Sequence, residues 1–479
     1  MVGNRRYKGA KKVNRIAVAV FSILILVVAM RSLKSYMTTK LTTAAVAQNK
    51  HKNSNKRKTD DAIPKDVLNH KYKVSNYQNN DIRKFPYPYS SMLSLCSDID
   101  DTTLKDFKTY HQFLNTTERT SHGEGLGLDV GDSMWLYMGD KYSKSTSQGH
   151  GSDDVMTYYK GIDINKKNNA DEITKFIKCG WIDCIHTFGD FSTANEKGTY
   201  FTRELAVNGW KTLKDIGFSP KVWINHGNRA NKQNFGAATT SSFMSYQQGD
   251  NPKSIYYHTD ITIGNGIRYV WNSMNDNIFG QDYPLFEISL RDGRRVWGFY
   301  RYTNNISRGK IDWTWTPSEI HRQLTQSNLD KIVKNKQYSI VAQHLGVSTQ
   351  DLFTKENIQA LRLLKQYEDK KKILITKTSR LLDYADVYKY VMYNKSVENG
   401  ITYIDILGVN DPLFGKSIPQ LDDLRGLTFY TNDSKNTVIL LNDNVINKNE
   451  IEVNPKDETG KESVSIKWYN PNYKDYSKQ

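Results

Sequence analysis

Four short apolar runs, each closed by a polar cluster, constrain the fold of this chain more than any other feature. Met92-Leu93-Ser94-Leu95-Cys96 runs into Ser97-Asp98-Ile99-Asp100-Asp101-Thr102, and Ile182 to Ile185 runs into His186. Val222-Trp223-Ile224 precedes His226-Gly227-Asn228-Arg229, and Tyr338-Ser339-Ile340-Val341-Ala342 precedes Gln343-His344. Apolar runs of this length, separated by helical patterns, read as parallel strands of an α/β domain. In barrels of that class the chemistry sits just past the carboxyl ends of the strands.

The connecting segments support this reading. Between the second and third runs, Leu205-Ala206-Val207, Leu213 and Ile216 keep a helical period; Gly217 stops the helix and Pro220 precedes the strand Val222 to Ile224. After the fourth run, Ile358, Leu361, Leu364 and Tyr367 mark a helix that leads to the strand Ile373-Leu374-Ile375. The α/β pattern extends over residues 85–392. From Lys232 to about Lys310 the period weakens, and Tyr256, Tyr257, Tyr269, Trp271, Trp297, Tyr300 and Tyr302 accumulate. These rings suit either stacking on sugar faces or filling an irregular core. Residues 393–479 read as short strands (Thr402 to Leu407, Leu427 to Thr431, Val438 to Leu441, Ser463 to Trp468) of an all-β, sandwich-like domain. Asn432 to Asn436 is expected to be a hairpin loop between two of them.

The formal charge of +16 belongs to one end of the chain. Residues 1–60 hold 14 Lys/Arg against one acid, which leaves +3 for the other 419 residues. A nucleic-acid-binding face is therefore not expected of the folded part. The basic segment brackets Ile16 to Met30, in which Ser22 is the only polar side chain. We expect residues 16–33 to be a single uncleaved transmembrane helix, with 1–15 a cytoplasmic basic tail and the remainder outside the cell membrane. The alternative is a signal peptide cleaved near Ala45-Val46-Ala47. Residues 34–84 form a basic linker and lead-in. Three cysteines, at 96, 179 and 184, provide no disulfide framework, although an external location permits a Cys179–Cys184 bridge.

Asp98, Asp100 and Asp101 lie too close together to be ionised without a cation or a shared proton. The order of an acidic run after the first strand, His186-Thr187-Phe188-Gly189-Asp190, His226-Gly227-Asn228-Arg229 and a late Gln343-His344-Leu345 resembles the polysaccharide deacetylase (NodB-like) family. The resemblance covers roughly residues 85–390. It implies an incomplete (β/α) barrel that removes acyl groups, by amide or ester hydrolysis, from a cell-surface or exported polysaccharide. It also implies Asp100 as general base and Asp101, His186 and Asp190 as ligands of a divalent metal, zinc or a harder ion, with Asp98 and Asp100 as the alternative base and ligand. Asp190 stands where the family has a second histidine. By the same resemblance His344 protonates the leaving group and Arg229 orients the base. Around this centre His226, Asn228, Trp271 and Tyr269 are the expected sugar contacts.

Three other classes compete. Asp98-Ile99-Asp100-Asp101-Thr102 matches the Asp-x-Asp-x-Thr signature of haloacid-dehalogenase-like phosphatases, which would make Asp98 a phosphorylated nucleophile and Asp100 the acid/base. A barrel that binds glycan without turning it over is a second class. A glycoside hydrolase drawing two carboxylates from Asp129, Asp132, Asp153 and Asp154 is a third.

Overall fold

The computed structural model describes residues 81–139, 154–193, 198–237, 246–273, 276–307, 309–346 and 351–478. The expected anchor, basic tail and most of the linker lie outside these residues, as does Asp153. Among the described residues no helix is long and apolar enough to cross a membrane.

The first apolar run becomes strand β1 (Ser91–Ser97), and Thr103 then caps helix α1 (Leu104–Asn115), its hydroxyl accepting the Asp106 amide at 3.1 Å. There follow α2 (Ala170–Cys179), α3 (Arg203–Asp215), β2 (Val222–Ile224), β3 (Tyr269–Trp271), β4 (Leu285–Ser289) and β5 (Arg295–Phe299). Next are α4 (Gln326–Asn335), β6 (Tyr338–Gln343), α5 (Lys355–Asp369), β7 (Ile373–Ile375) and α6 (Thr378–Tyr390). Helix α3 ends as the sequence predicts: Gly217 takes the left-handed φ of 74° and the chain returns through Pro220 to β2.

Two parallel arrays result. β1 lies between β6 and β7, and β2 pairs with β3, which pairs with β5; β4 joins β5 antiparallel. The run Ile182 to Ile185 forms no regular strand. The amides of Asp183 and Cys184 both reach the Asp132 carbonyl, at 3.0 and 3.3 Å, so the ladder breaks into single parallel bridges, Asp132 to Ile182 and Ile185 to Trp223. Further single parallel bridges join Ser97 to Asp132 and Tyr302 to Val341. The architecture is a mixed α/β fold, with no closed barrel of continuous strands among the described residues. One large core, with Phe107, Trp135, Ile185 and Trp223, fills the space between strands and helices.

After α6 come β8 (Val391–Glu398), β9 (Ile401–Asp411), β10 (Thr428–Thr431), β11 (Thr437–Leu441), β12 (Ile451–Asn454) and β13 (Glu462–Ile466). The expected hairpin at Asn432 to Asn436 does not form. β10 pairs with β13, whereas β11 pairs in parallel with β9, so the loop crosses from one sheet to another. The edge of β9 buries Ile439 beside Ile404 and Ile406, which a local hairpin would leave unpaired. Both C-terminal sheets share a core with Met92, Val222, Ile224 and Leu374 from the α/β strands. All three cysteines are free thiols.

Candidate metal centre

Every strand-end cluster predicted from sequence opens on the same side of the strands, because parallel strands bring their carboxyl ends together. The Asp98 amide donates to the Gln343 carbonyl at 2.8 Å, which joins the acidic turn to the segment carrying His344. Ser133 Oγ accepts from the Ile99 amide at 3.0 Å, and Ser97 Oγ accepts from the Leu345 amide at 3.2 Å. His186 is set by its amide bond to the Met134 carbonyl at 3.1 Å, and its ring stacks on Trp135 at 5.7 Å between centroids.

Three side chains meet, each within one hydrogen-bond length of the other two. His186 Nε2 lies 2.9 Å from Asp100 Oδ2 and 2.9 Å from His226 Nδ1, and His226 Nδ1 lies 3.0 Å from Asp100 Oδ1. Asp100 and His186 are buried and His226 is nearly so. A carboxylate and two imidazole nitrogens converging in this way could hold a divalent cation. Burial opposes the Asp100 charge, but the imidazoles of His226, His186 and His344 hold this carboxyl well below the usual range. Burial likewise opposes protonation of His226, yet Asp100, aided by Asp190 and Asp98, pushes it up to about 9. Each charge is thus sustained by its neighbours.

A second cluster adjoins the first. Asp98 is 2% exposed and accepts from both terminal guanidinium nitrogens of the similarly buried Arg301, at 2.6 and 2.8 Å. His344 Nε2 lies 3.3 Å from Asp98 Oδ2 and 4.0 Å from Asp100 Oδ2. Burial pushes the Asp98 carboxyl up, but Arg301 first and His186 second bring it well below the usual range, so Asp98 is ionised throughout ordinary pH. The Arg301 guanidinium sits 4.0 Å over the Trp271 ring, and Trp315 packs on His344 at 4.3 Å.

Several sequence expectations are corrected here. Asp101 sits at a positive-φ corner (51°) and belongs to neither cluster, so the alternative pairing of Asp98 with Asp100 is the one brought together. Asp190 belongs to neither cluster either: its Oδ1 accepts from the Ser192 amide and hydroxyl and from Asn231, and stands 3.8 Å from His226 Nε2. The third member of the group that could hold an ion is instead His226, which the sequence suggests only as a sugar contact. Arg229 is exposed and forms no ion pair with Asp98 or Asp100; Arg301 holds that place. Tyr269 is fully buried with its hydroxyl donating to Asp383 at 3.0 Å, so it is a core residue and not a sugar contact; Trp297 and Tyr302 also fill core. Asn228 is exposed, its amide donating to Ser192 Oγ at 3.0 Å, and Trp271 is half-buried; both line a cavity beside His226.

Arg301 was missed, although the rule that found the histidines points to it. It follows the apolar strand β5 by two residues, inside the aromatic stretch that reads as irregular. Comparison with protein-family models, with curated proteins and with solved structures gives no match.

Proposed function

We propose that this chain is a metal-dependent hydrolase that removes acyl groups from a polysaccharide, on an incomplete (β/α) barrel of the NodB-like kind. The observation that carries the reading is the side-by-side placement of a His–His–Asp cation set and an Arg301–Asp98–His344 proton-handling set. The barrel reading is supported by the succession of parallel pairings from β6 through β1, Asp132, Ile182 to Ile185, β2, β3 and β5 to Tyr302.

Asp100, His186 and His226 would hold the ion, zinc by this donor set, and its chemistry is to polarise an acyl carbonyl and acidify a water so that a weakly basic carboxylate suffices to deprotonate it. Asp98, kept anionic and oriented by Arg301, takes the water proton at Oδ2 as the oxygen adds to the acyl carbon. His344 delivers a proton from Nε2 to the departing nitrogen or oxygen as the acyl bond breaks. The 3.3 Å between Asp98 Oδ2 and His344 Nε2 lets the proton pass to the imidazole and resets both groups. Trp135 beneath the imidazoles and Trp315 beside His344 limit water at the site.

The competing classes find less support. The phosphatase class gives tasks only to Asp98 and Asp100 and leaves His186, His226 and His344, which converge on these two acids, without any. Of the glycosidase candidates, Asp129 is bound by Arg380 and Thr376, and Asp132 is fully buried, its carboxyl pushed well up by burial. Asp154 is exposed and apart from both clusters. A membrane-anchored, outward-facing location accords with a polysaccharide substrate. The test is acetate release from acetylated oligosaccharides by the full chain, with Asp100→Ala and His344→Ala. Metal-dependent release lost in both variants is the expected result; phosphate release dependent on Asp98, or sugar binding without turnover, overturns the reading.

A further inference from the structure

The cavity next to His226 is lined by Asn228, Arg229, Tyr246, Trp271 and Asn272, among others, and encloses about 280 Å³. That is at the small end of ligand pockets, ~300–1,000 Å³, and suits one sugar unit better than a run of several. One side chain of the lining, Arg229, is cationic. It has no hydrogen bond or ion pair among the described residues; Lys232 stands behind the lining, its ammonium 5.9 Å from the ring centre of the lining residue Tyr246. Burial and then the charge of Arg229 lower the Lys232 pKa, with no acid among the causes. Arg291, by contrast, is paired with Asp250.

The rest of the lining is made for a sugar. Asn272 is 1% exposed; its amide donates to the Gly236 carbonyl at 3.0 Å, which fixes Oδ1 as a buried acceptor with no partner. Such an atom calls for a hydroxyl donor. The Trp271 ring carries Arg301 over it, and so connects the cavity directly to Asp98. A unit held here lies against His226 and therefore beside the cation set.

We propose that the cavity selects a sugar unit bearing an anionic substituent, a carboxylate or a phosphate, which Arg229 and Lys232 recognise while Asn272 and Trp271 hold the ring. This rests on the polysaccharide reading above and narrows it to anionic polymers. It also gives Arg229 a binding task in place of the base-orienting one expected from sequence.

The test is calorimetric titration of the full chain with three acetylated oligosaccharides of equal length: an oligouronate, a sugar phosphate oligomer and a neutral one. We expect the anionic ligands, or one of them, to bind about tenfold tighter than the neutral one, as a charge-assisted contact provides. The advantage should shrink at high salt and collapse in Arg229→Gln, with Lys232→Gln as the second variant; thermal melts establish that both fold. The order of the two anionic ligands identifies the substituent. Equal affinity for charged and neutral ligands, a preference that survives both variants, or no binding of any ligand overturns the proposal. Charge-dependent binding without acetate release would instead defeat the hydrolase reading and leave this one standing.

Discussion

Asp98 and Arg301, 203 residues apart in the chain, meet as a buried bidentate pair, each terminal guanidinium nitrogen donating to one carboxylate oxygen. The pair joins the end of β1 to the segment after β5, and so ties the two parallel arrays together at the site. Its geometry also decides which acid of the run does what. With Asp98 committed to Arg301 and His344, Asp100 is left to face the imidazoles.

Breaking this pair from one side strands a buried charge. Arg301→Ala is expected to cost about 3–5 kcal/mol, measured by urea unfolding, and to abolish turnover. Arg301→Ala combined with Asp98→Asn should be less unstable than the first change alone, because no net charge is left behind. A double variant as unstable as the simple sum of the two would show that the pair carries no coupling.

Metal content separates the group that converges at the site, Asp100, His186 and His226, from the ligand set expected by sequence. Purified wild-type chain is expected to retain one divalent ion per molecule by elemental analysis. His186→Ala and His226→Ala should lose it and Asp101→Ala should keep it. Asp190→Asn, which loosens the setting of His226, should lower affinity about 10–100-fold, as second-layer partners do. Retention in His226→Ala would return the ligand position to Asp190.

Much of this candidate site was legible because each of its side chains follows an apolar run, a pattern that survives without any alignment. The strands at Val222 and Tyr338, the helix closed off before Gly217 and the helix carrying Ile358, Leu361, Leu364 and Tyr367 follow directly from period and punctuation. What was not legible is set by contacts across the sheet. Nothing local to Asp98-Ile99-Asp100-Asp101 says which carboxylate an arginine 200 residues away will take. Nor does the spacing of His186 and Asp190 reveal that Ser192 and Asn231 claim the aspartate. Likewise, the hairpin expected at Asn432 was a local reading, overridden by the better burial of β11 against β9.

Acid should destabilise the fold through two core histidines that lie outside the site. Burial pushes His111 down to about 3 and His258 down to about 4. His258 is satisfied as a neutral ring, Nε2 at 2.7 Å from the Gln233 carbonyl and Nδ1 at 2.8 Å from Thr262 Oγ1. Both folded-state values lie below the unfolded value of about 6.5, so only the unfolded chain takes up these protons as pH falls between the two. Stability is therefore full above about pH 6.5 and declines towards pH 4, by up to ~1.4 kcal/mol per pH unit for each ring. Urea midpoints across this range should fall less steeply in His258→Gln than in wild type. An unchanged slope would mean that the ring is protonated in the fold.

Gly346 controls the approach of His344 to the acidic turn. A Cβ at this position would stand 2.3 Å from both Cγ2 and Oγ1 of Thr102, a branched side chain that is itself fully buried. Thr102 in turn fixes the turn, its amide bonded to the Ile99 carbonyl at 3.1 Å and its carbonyl accepting the Met156 amide at 2.8 Å. Gly346→Ala must therefore push the His344 segment away from Asp98, at a cost of ~1–3 kcal/mol for overpacking. The expected signature is a fall in kcat with metal content unchanged, because Asp100, His186 and His226 stay in place while the His344 proton donor moves. Thr102→Ala alone should be mild, and added to Gly346→Ala it should restore part of both stability and kcat, since the two atoms nearest the new methyl are gone. Loss of metal along with activity, or no rescue by the second change, would show that the glycine serves something other than the spacing of His344 and Asp98.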